Sequence, residues 1–194
     1  MPDTDPETGQ REIPFTERPI ALVGLMGVGK TTVGRRLARA LDRGFVDSDE
    51  EIERASGRTV AGYFRDHGEA AFRDGERRVV ERLLKDPAQV IATGGGAFIH
   101  PPTHELLKAQ ALVVWLRGDF ETIMRRVSKK DTRPLLKVAD PRARMRELME
   151  ERTPIYAKAH ITVDVSKGPH ARTVAKVRRA VERHLKQNRE RSRA

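Results

Sequence analysis

Five short apolar runs mark the chain: Ile20–Val23, Phe45–Val46, Val90–Ala92, Leu112–Leu116 and Ile161–Val165. They are continuous rather than strictly alternating, the pattern of strands buried on both faces of a parallel sheet. Between them, apolar residues recur at helical spacing. That pattern predicts helices over Thr32–Leu41, Glu50–Ala55, Ala61–Phe64, Glu69–Lys85, Asp119–Val127, Arg142–Arg152 and Val174–Leu185. Strands alternating with helices give an α/β fold, the sheet covered on both faces. Local signals sharpen the ends of one helix. Asp140-Pro141 is a start, an N-cap followed by proline at the first helical position. Pro154 predicts a stop just after Arg152. There is no internal repeat and no domain boundary. Residues 19–186 read as one domain and residues 1–18 as a disordered extension. Residues 187–194 lack an apolar face and read as a frayed basic tail. Trp115, the sole tryptophan, lies in a strand and is most simply core.

Composition narrows the class. Hydrophobic residues are 38% of the 194 and charged residues 34%, a lean but sufficient core for one domain. No apolar run approaches a membrane span, and the acidic, Pro- and Asp-containing N-terminus does not read as a secretory signal. With no cysteine, disulfides, thiolate metal sites and thiol catalysis are excluded. The expectation is a soluble cytoplasmic monomer with no membrane partner.

The net charge of +10 is unevenly spread. Residues 1–18 hold five acidic and two basic side chains, and residues 169–194 nine basic and two acidic. A basic end can bind nucleic acid or an anionic membrane surface. Val174, Val177, Val181 and Leu185 nevertheless line one helix face, which favours a packed helix with a solvated outer side. Aromatic residues are only 5% and none interleaves with the basic ones, so no nucleic-acid partner is expected.

The sharpest chemical signal is Gly24-Leu25-Met26-Gly27-Val28-Gly29-Lys30-Thr31, which fits G-x-x-x-x-G-K-[ST] between a strand and a helix. Such a loop presents the backbone N–H groups from Gly27, Val28 and Gly29 to Thr32 at a helix N-terminus, where they and the helix dipole hold phosphate. Lys30 adds a point charge for the outer phosphates and Thr31 a hydroxyl for Mg²⁺. The ligand is therefore ATP or GTP.

Phe45-Val46-Asp47-Ser48-Asp49 ends a short strand in two carboxylates at i, i+2, which face one side of an extended chain. A divalent cation at one relieves their repulsion, so Asp47 is assigned to Mg²⁺ and Asp49 to a substrate hydroxyl. The competing reading is helix capping, since Ser48-Asp49-Glu50-Glu51 matches a capping box. Thr93-Gly94-Gly95-Gly96-Ala97 follows the strand at Val90, at the strand end where ligands gather, and its glycines let a ligand reach the backbone; a plain turn is the alternative. Arg73 lies off the apolar face Phe72, Val79, Val80 and Leu83 and is expected to project freely, or to pair with Glu69. Arg126 and Arg133 bracket a charged segment suited to a mobile lid, and Arg152 sits near a helix end. Taken singly, each arginine reads as surface charge. Phosphoryl transfer needs such cations, and arginine clamps a carboxylate with two bonds. His100 and His104 resemble a metal pair, but two prolines between them argue against a helix that would align them, and no third ligand stands out.

Taken in order, these segments resemble the shikimate kinase family, from about Pro19 to Val165. The phosphate loop is shared by many families. More specific are Asp47-Ser48-Asp49, then Gly68-Glu69-Ala70-Ala71-Phe72-Arg73, then Gly94-Gly95-Gly96, Arg133-Pro134-Leu135-Leu136 and Arg152-Thr153-Pro154-Ile155-Tyr156. The resemblance implies a P-loop kinase of the nucleoside-monophosphate-kinase type, with a five-stranded parallel sheet in the order 2-3-1-4-5. It implies transfer of the γ-phosphate of ATP to the 3-hydroxyl of shikimate, with Mg²⁺. Asp49 becomes the candidate base, Arg73 and Arg152 the clamp on the shikimate carboxylate, and an N–H of Gly94–Gly96 a hydroxyl donor. Arg133 reaches the phosphates from a lid over 128–140, Arg126 stacks on adenine, and about 49–82 binds shikimate. A gluconate or nucleoside-monophosphate kinase on the same fold is the rival reading, gluconate the closer of the two; a nucleic-acid-associated ATPase is the more distant one.

Overall fold

The structure, a computed structural model, describes residues 17–86, 88–128, 136, 138–165 and 168–191. Its strands are β1 (Ile20–Val23), β2 (Gly44–Asp47), β3 (Gln89–Ala92), β4 (Leu112–Gly118) and β5 (Ile161–Val165). They form one sheet in the order β2-β3-β1-β4-β5, and every pairing is parallel, as the resemblance implies. Ile20 of the central β1 stands opposite Val90 on one side and Leu112 on the other. All four residues of β1 are buried, which is why its run is apolar throughout. β5, at the edge, alternates buried and exposed because only one of its faces is covered.

The helices are α1 (Lys30–Ala40), α2 (Ser48–Ser56), α3 (Val60–Leu83), α4 (Pro101–Gln110), α5 (Phe120–Val127), α6 (Pro141–Tyr156) and α7 (His170–Arg191). Four departures from the sequence pattern matter. First, α4 is absent from the sequence expectation. Pro101 and Pro102 occupy its first turn, where a missing N–H costs nothing, so they begin the helix they were expected to forbid. Second, the two helices expected over 61–85 form one element bent at a single residue, Gly68 (φ 77°, ψ 175°). Third, α6 passes through Pro154 and ends at Tyr156. An interior proline costs about 3 kcal/mol. Burial of the Tyr156 ring, 1% exposed, offsets it. Fourth, α7 continues through Arg191, beyond the frayed boundary expected at 187. The start of α6 agrees with expectation: the Asp140 carboxylate accepts from the N–H groups of Arg142 and Ala143. Among the described residues no helix is long and apolar enough to cross a membrane.

Candidate functional site

The chemistry-bearing segments meet at the carboxyl ends of β1, β2 and β3. The loop after β1 turns through Gly24 (φ 135°), Gly27 (φ 80°) and Gly29 (φ 95°), conformations that L side chains rarely adopt. A Cβ on Gly24 would also stand 2.6 Å from the Leu116 carbonyl oxygen. Gly29 is the N-cap of α1, so the loop delivers its amides to the positive end of that helix. Lys30 Nζ donates to the Gly24 and Leu25 carbonyls at 2.7 and 3.1 Å, which curls its ammonium over the loop.

Asp47 is the last residue of β2 and the N-cap of α2. One carboxylate oxygen accepts from the Asp49 N–H at 3.0 Å and the other from Thr31 Oγ1 at 2.7 Å. The carboxylate thus caps α2 with one oxygen and holds Thr31 with the other. The N-cap falls one residue earlier than the capping-box match suggests. Ser48, fully buried, instead accepts from the Gly94 N–H at 2.9 Å. Thr31 and Asp47 offer a hydroxyl and a carboxylate, hard oxygens that suit Mg²⁺, an ion that binds through one or two protein groups plus water and phosphate.

A cavity of about 370 Å³ is lined by Lys30, Thr31, Thr32, Asp47, Asp49 and Arg126, among others. Arg126 reaches it from α5 and donates to the Val28 carbonyl at 3.0 Å. Partial burial lowers the pKa of its guanidinium. A second cavity, about 630 Å³, is lined by Arg73, Gly96 and Arg152, with Arg77, His100 and Glu69 at its wall. Gly95 borders the first cavity and Gly96 the second, so the glycine run is the partition between them.

The glycines serve a purpose beyond the one their sequence suggests. A Cβ at Gly94 would lie 2.6 Å from Asp49 Oδ1 and 3.0 Å from Glu76 Oε1; one at Gly96 would strike the Arg73 guanidinium. The bare backbone makes room for the protein's own charged side chains. The Gly95 carbonyl accepts from Arg152 Nη1 at 3.3 Å and from the Tyr156 hydroxyl at 2.6 Å.

Arg73 does not project freely. It is only 17% exposed and donates to Glu76 Oε2 at 2.6 Å, with the expected Glu69 contact longer, at 3.4 Å. Glu76 is 1% exposed. Burial holds its carboxyl above the usual range, an effect the Arg73 charge opposes only in part. The signal for Glu76 is present in the sequence. It sits four residues after Phe72 and four before Val80, a carboxylate on the buried stripe of α3. Ser48 and Tyr156 carry no comparable mark.

Arg133 and most of the segment 128–140 lie outside the described residues. His100 and His104 make no metal site. His100 Nδ1 is 3.0 Å from Thr103 Oγ1 and His104 Nδ1 is 3.1 Å from the Phe98 carbonyl, and no group of three metal-ligating side chains occurs among the described residues.

Comparisons with known proteins place the chain in a family. A family model described as "Shikimate kinase" matches residues 26–182. The chain is 51% identical over 157 residues to the shikimate kinase of Caulobacter vibrioides (strain NA1000 / CB15N), covering 81% of this chain and 78% of that protein. It is 53% identical over 160 residues to that of Paramagnetospirillum magneticum, covering 82% of each. A solved shikimate kinase from Acinetobacter baumannii in complex with shikimate superposes with a TM-score of 0.81 at 42% identity, over 85% of this chain and 93% of that one. A gluconokinase from Sinorhizobium meliloti 1021 superposes with a TM-score of 0.61 at 18% identity, over 93% of this chain and 99% of that one, a likeness of fold alone.

Proposed function

This chain belongs to the shikimate kinase family, and we propose that its two cavities are the donor and acceptor halves of one site that transfers the γ-phosphoryl group of ATP to the 3-hydroxyl of shikimate. The observation that carries the reading is the partition. Asp49 lines the phosphate-loop cavity, and its carboxylate packs at Gly94 beside Glu76, whose partner Arg73 lines the other cavity. One carboxylate thus stands between a phosphate site and a pair of guanidinium groups.

In this reading the Gly27–Thr32 amides and Lys30 hold the phosphates, and Arg126 packs on the adenine. Thr31 and Asp47 hold Mg²⁺, which when bound supplies charge neutralisation on the β- and γ-phosphates. Arg73 and Arg152 take the shikimate carboxylate as bidentate donors. Asp49 orients the 3-hydroxyl and accepts its proton, while Arg133 steadies the transferring group from the lid. The Gly94 N–H is engaged by Ser48, so the hydroxyl donor is assigned to the amides of Gly95 and Gly96.

The test is ADP release in the presence of ATP and Mg²⁺ with shikimate, gluconate, AMP or nucleic acid added. Stimulation by shikimate alone is expected. Its absence with shikimate sinks the reading.

A further inference from the structure

We propose that Tyr156 is a positioning residue of the acceptor half, acting through the Gly95 carbonyl, which its hydroxyl holds so that the Arg152 guanidinium can turn to the substrate carboxylate. The proposal rests on the assignment of Arg152 to that carboxylate.

Two donors reach the Gly95 oxygen, and they are unequal. The Tyr156 hydroxyl lies at 2.6 Å and Arg152 Nη1 at 3.3 Å. Both come from α6, four residues apart, and so leave the same helix face. The phenol ring is 1% exposed and packs beside Phe98, centroids 6.4 Å apart with planes 4° from parallel, and Trp115, at 5.9 Å and 19°. A ring this buried has little room to move with a ligand. Burial pushes the phenol up to about 12, so it keeps its proton and stays a donor. Arg152, by contrast, lines the open acceptor cavity and makes the longer bond. When a carboxylate competes for the guanidinium, the carbonyl keeps its better donor. Without the phenol hydroxyl, Arg152 would be the one donor to that half-buried oxygen among the described residues, and its release would cost the carbonyl its last protein partner. The path of α6 through Pro154 is what brings the hydroxyl to this point.

Tyr156→Phe keeps the ring and its stacking and removes only the hydroxyl. It is expected to raise the shikimate KM about five- to tenfold, the range of one hydrogen bond, with the KM for ATP and the affinity for MgADP unchanged. On an Arg152→Ala background the same substitution is expected to add little, because no guanidinium remains to be trapped. Melting temperatures report whether each variant is folded. The proposal is overturned if Tyr156→Phe leaves the shikimate KM unchanged, raises both KM values alike as a general structural defect would, or acts by the same factor with and without Arg152. Arg152→Ala alone separates the two levels. If it raises the shikimate KM while Tyr156→Phe does not, only the role of Tyr156 falls; if it has no effect, the clamp falls too.

Discussion

Thr31 Oγ1 donates to Asp47 Oδ2 at 2.7 Å across 16 positions of sequence, and the other oxygen of the same carboxylate caps α2. The first helical turn after the phosphate loop is thereby tied to the start of the helix after β2. The two oxygens of Asp47 suit two jobs, the cap the residue makes and the Mg²⁺ contact proposed for it.

The two jobs separate under mutation. Asparagine caps as well as aspartate but carries no charge for a cation. Asp47→Asn is therefore expected to change thermal stability little while raising the Mg²⁺ concentration for half-maximal turnover. Asp47→Ala removes the cap as well and should cost about 1 kcal/mol. Mg²⁺ titrations of turnover beside melting curves check both. Equal Mg²⁺ dependence in Asp47→Asn and the parent would remove Asp47 from the cation site.

Glu76 sets the position of Arg73. Truncating one partner of a buried pair costs roughly 3–5 kcal/mol, and Arg73 is 17% exposed beside a carboxylate 1% exposed. Glu76→Ala is expected near the lower end of that range by chemical denaturation, since Arg73 keeps some access to water. Glu76→Gln retains the shape and one acceptor, so its larger effect should be on function: a higher shikimate KM with the ATP KM unchanged. An unchanged shikimate KM would leave Glu76 with a purely structural part.

Asp49 and Gly94 should behave as a unit. Asp49→Asn is expected to collapse turnover while MgADP binding, measured by calorimetry, stays nearly intact. A methyl group at Gly94 would sit 2.6 Å from Asp49 Oδ1, so Gly94→Ala should push the carboxylate aside and reproduce much of that loss. If Gly94→Ala keeps full turnover, the carboxylate position is not critical.

Far from the site, His160 accepts from the Val113 N–H at 3.0 Å through Nδ1, and burial, with Lys108, Arg18 and His184 nearby, lowers its pKa from 6.5 to about 4. Between those values the unfolded chain binds the proton and the folded chain does not. Stability is therefore present above pH 6.5 and is lost as pH falls toward 4. His160→Asn keeps an acceptor for the Val113 N–H and cannot titrate, so its melting temperature should vary less over that interval. Identical pH profiles would clear His160 of this role.

The five apolar runs and the phosphate-loop motif specify the strands, their parallel character and the nucleotide end of the site, because burial and backbone freedom are local demands that a short segment can express by itself. Asp47, Asp49, Arg73, Gly94–Gly96 and Arg152 are visible as candidates for the same reason. What those residues touch is not local. That Gly94 and Gly96 make way for Asp49, Glu76 and Arg73 depends on three elements converging on one strand end. Arg73 and Glu76 are neighbours three apart on one helix, but the burial that makes their pairing matter comes from the fold, as does the passage of Pro154 through a helix whose last turn brings Tyr156 to Gly95. Proline and glycine signals predict what a backbone prefers in isolation. Only the packed fold sets the burial and partners that outweigh those preferences, since these come from residues tens of positions away.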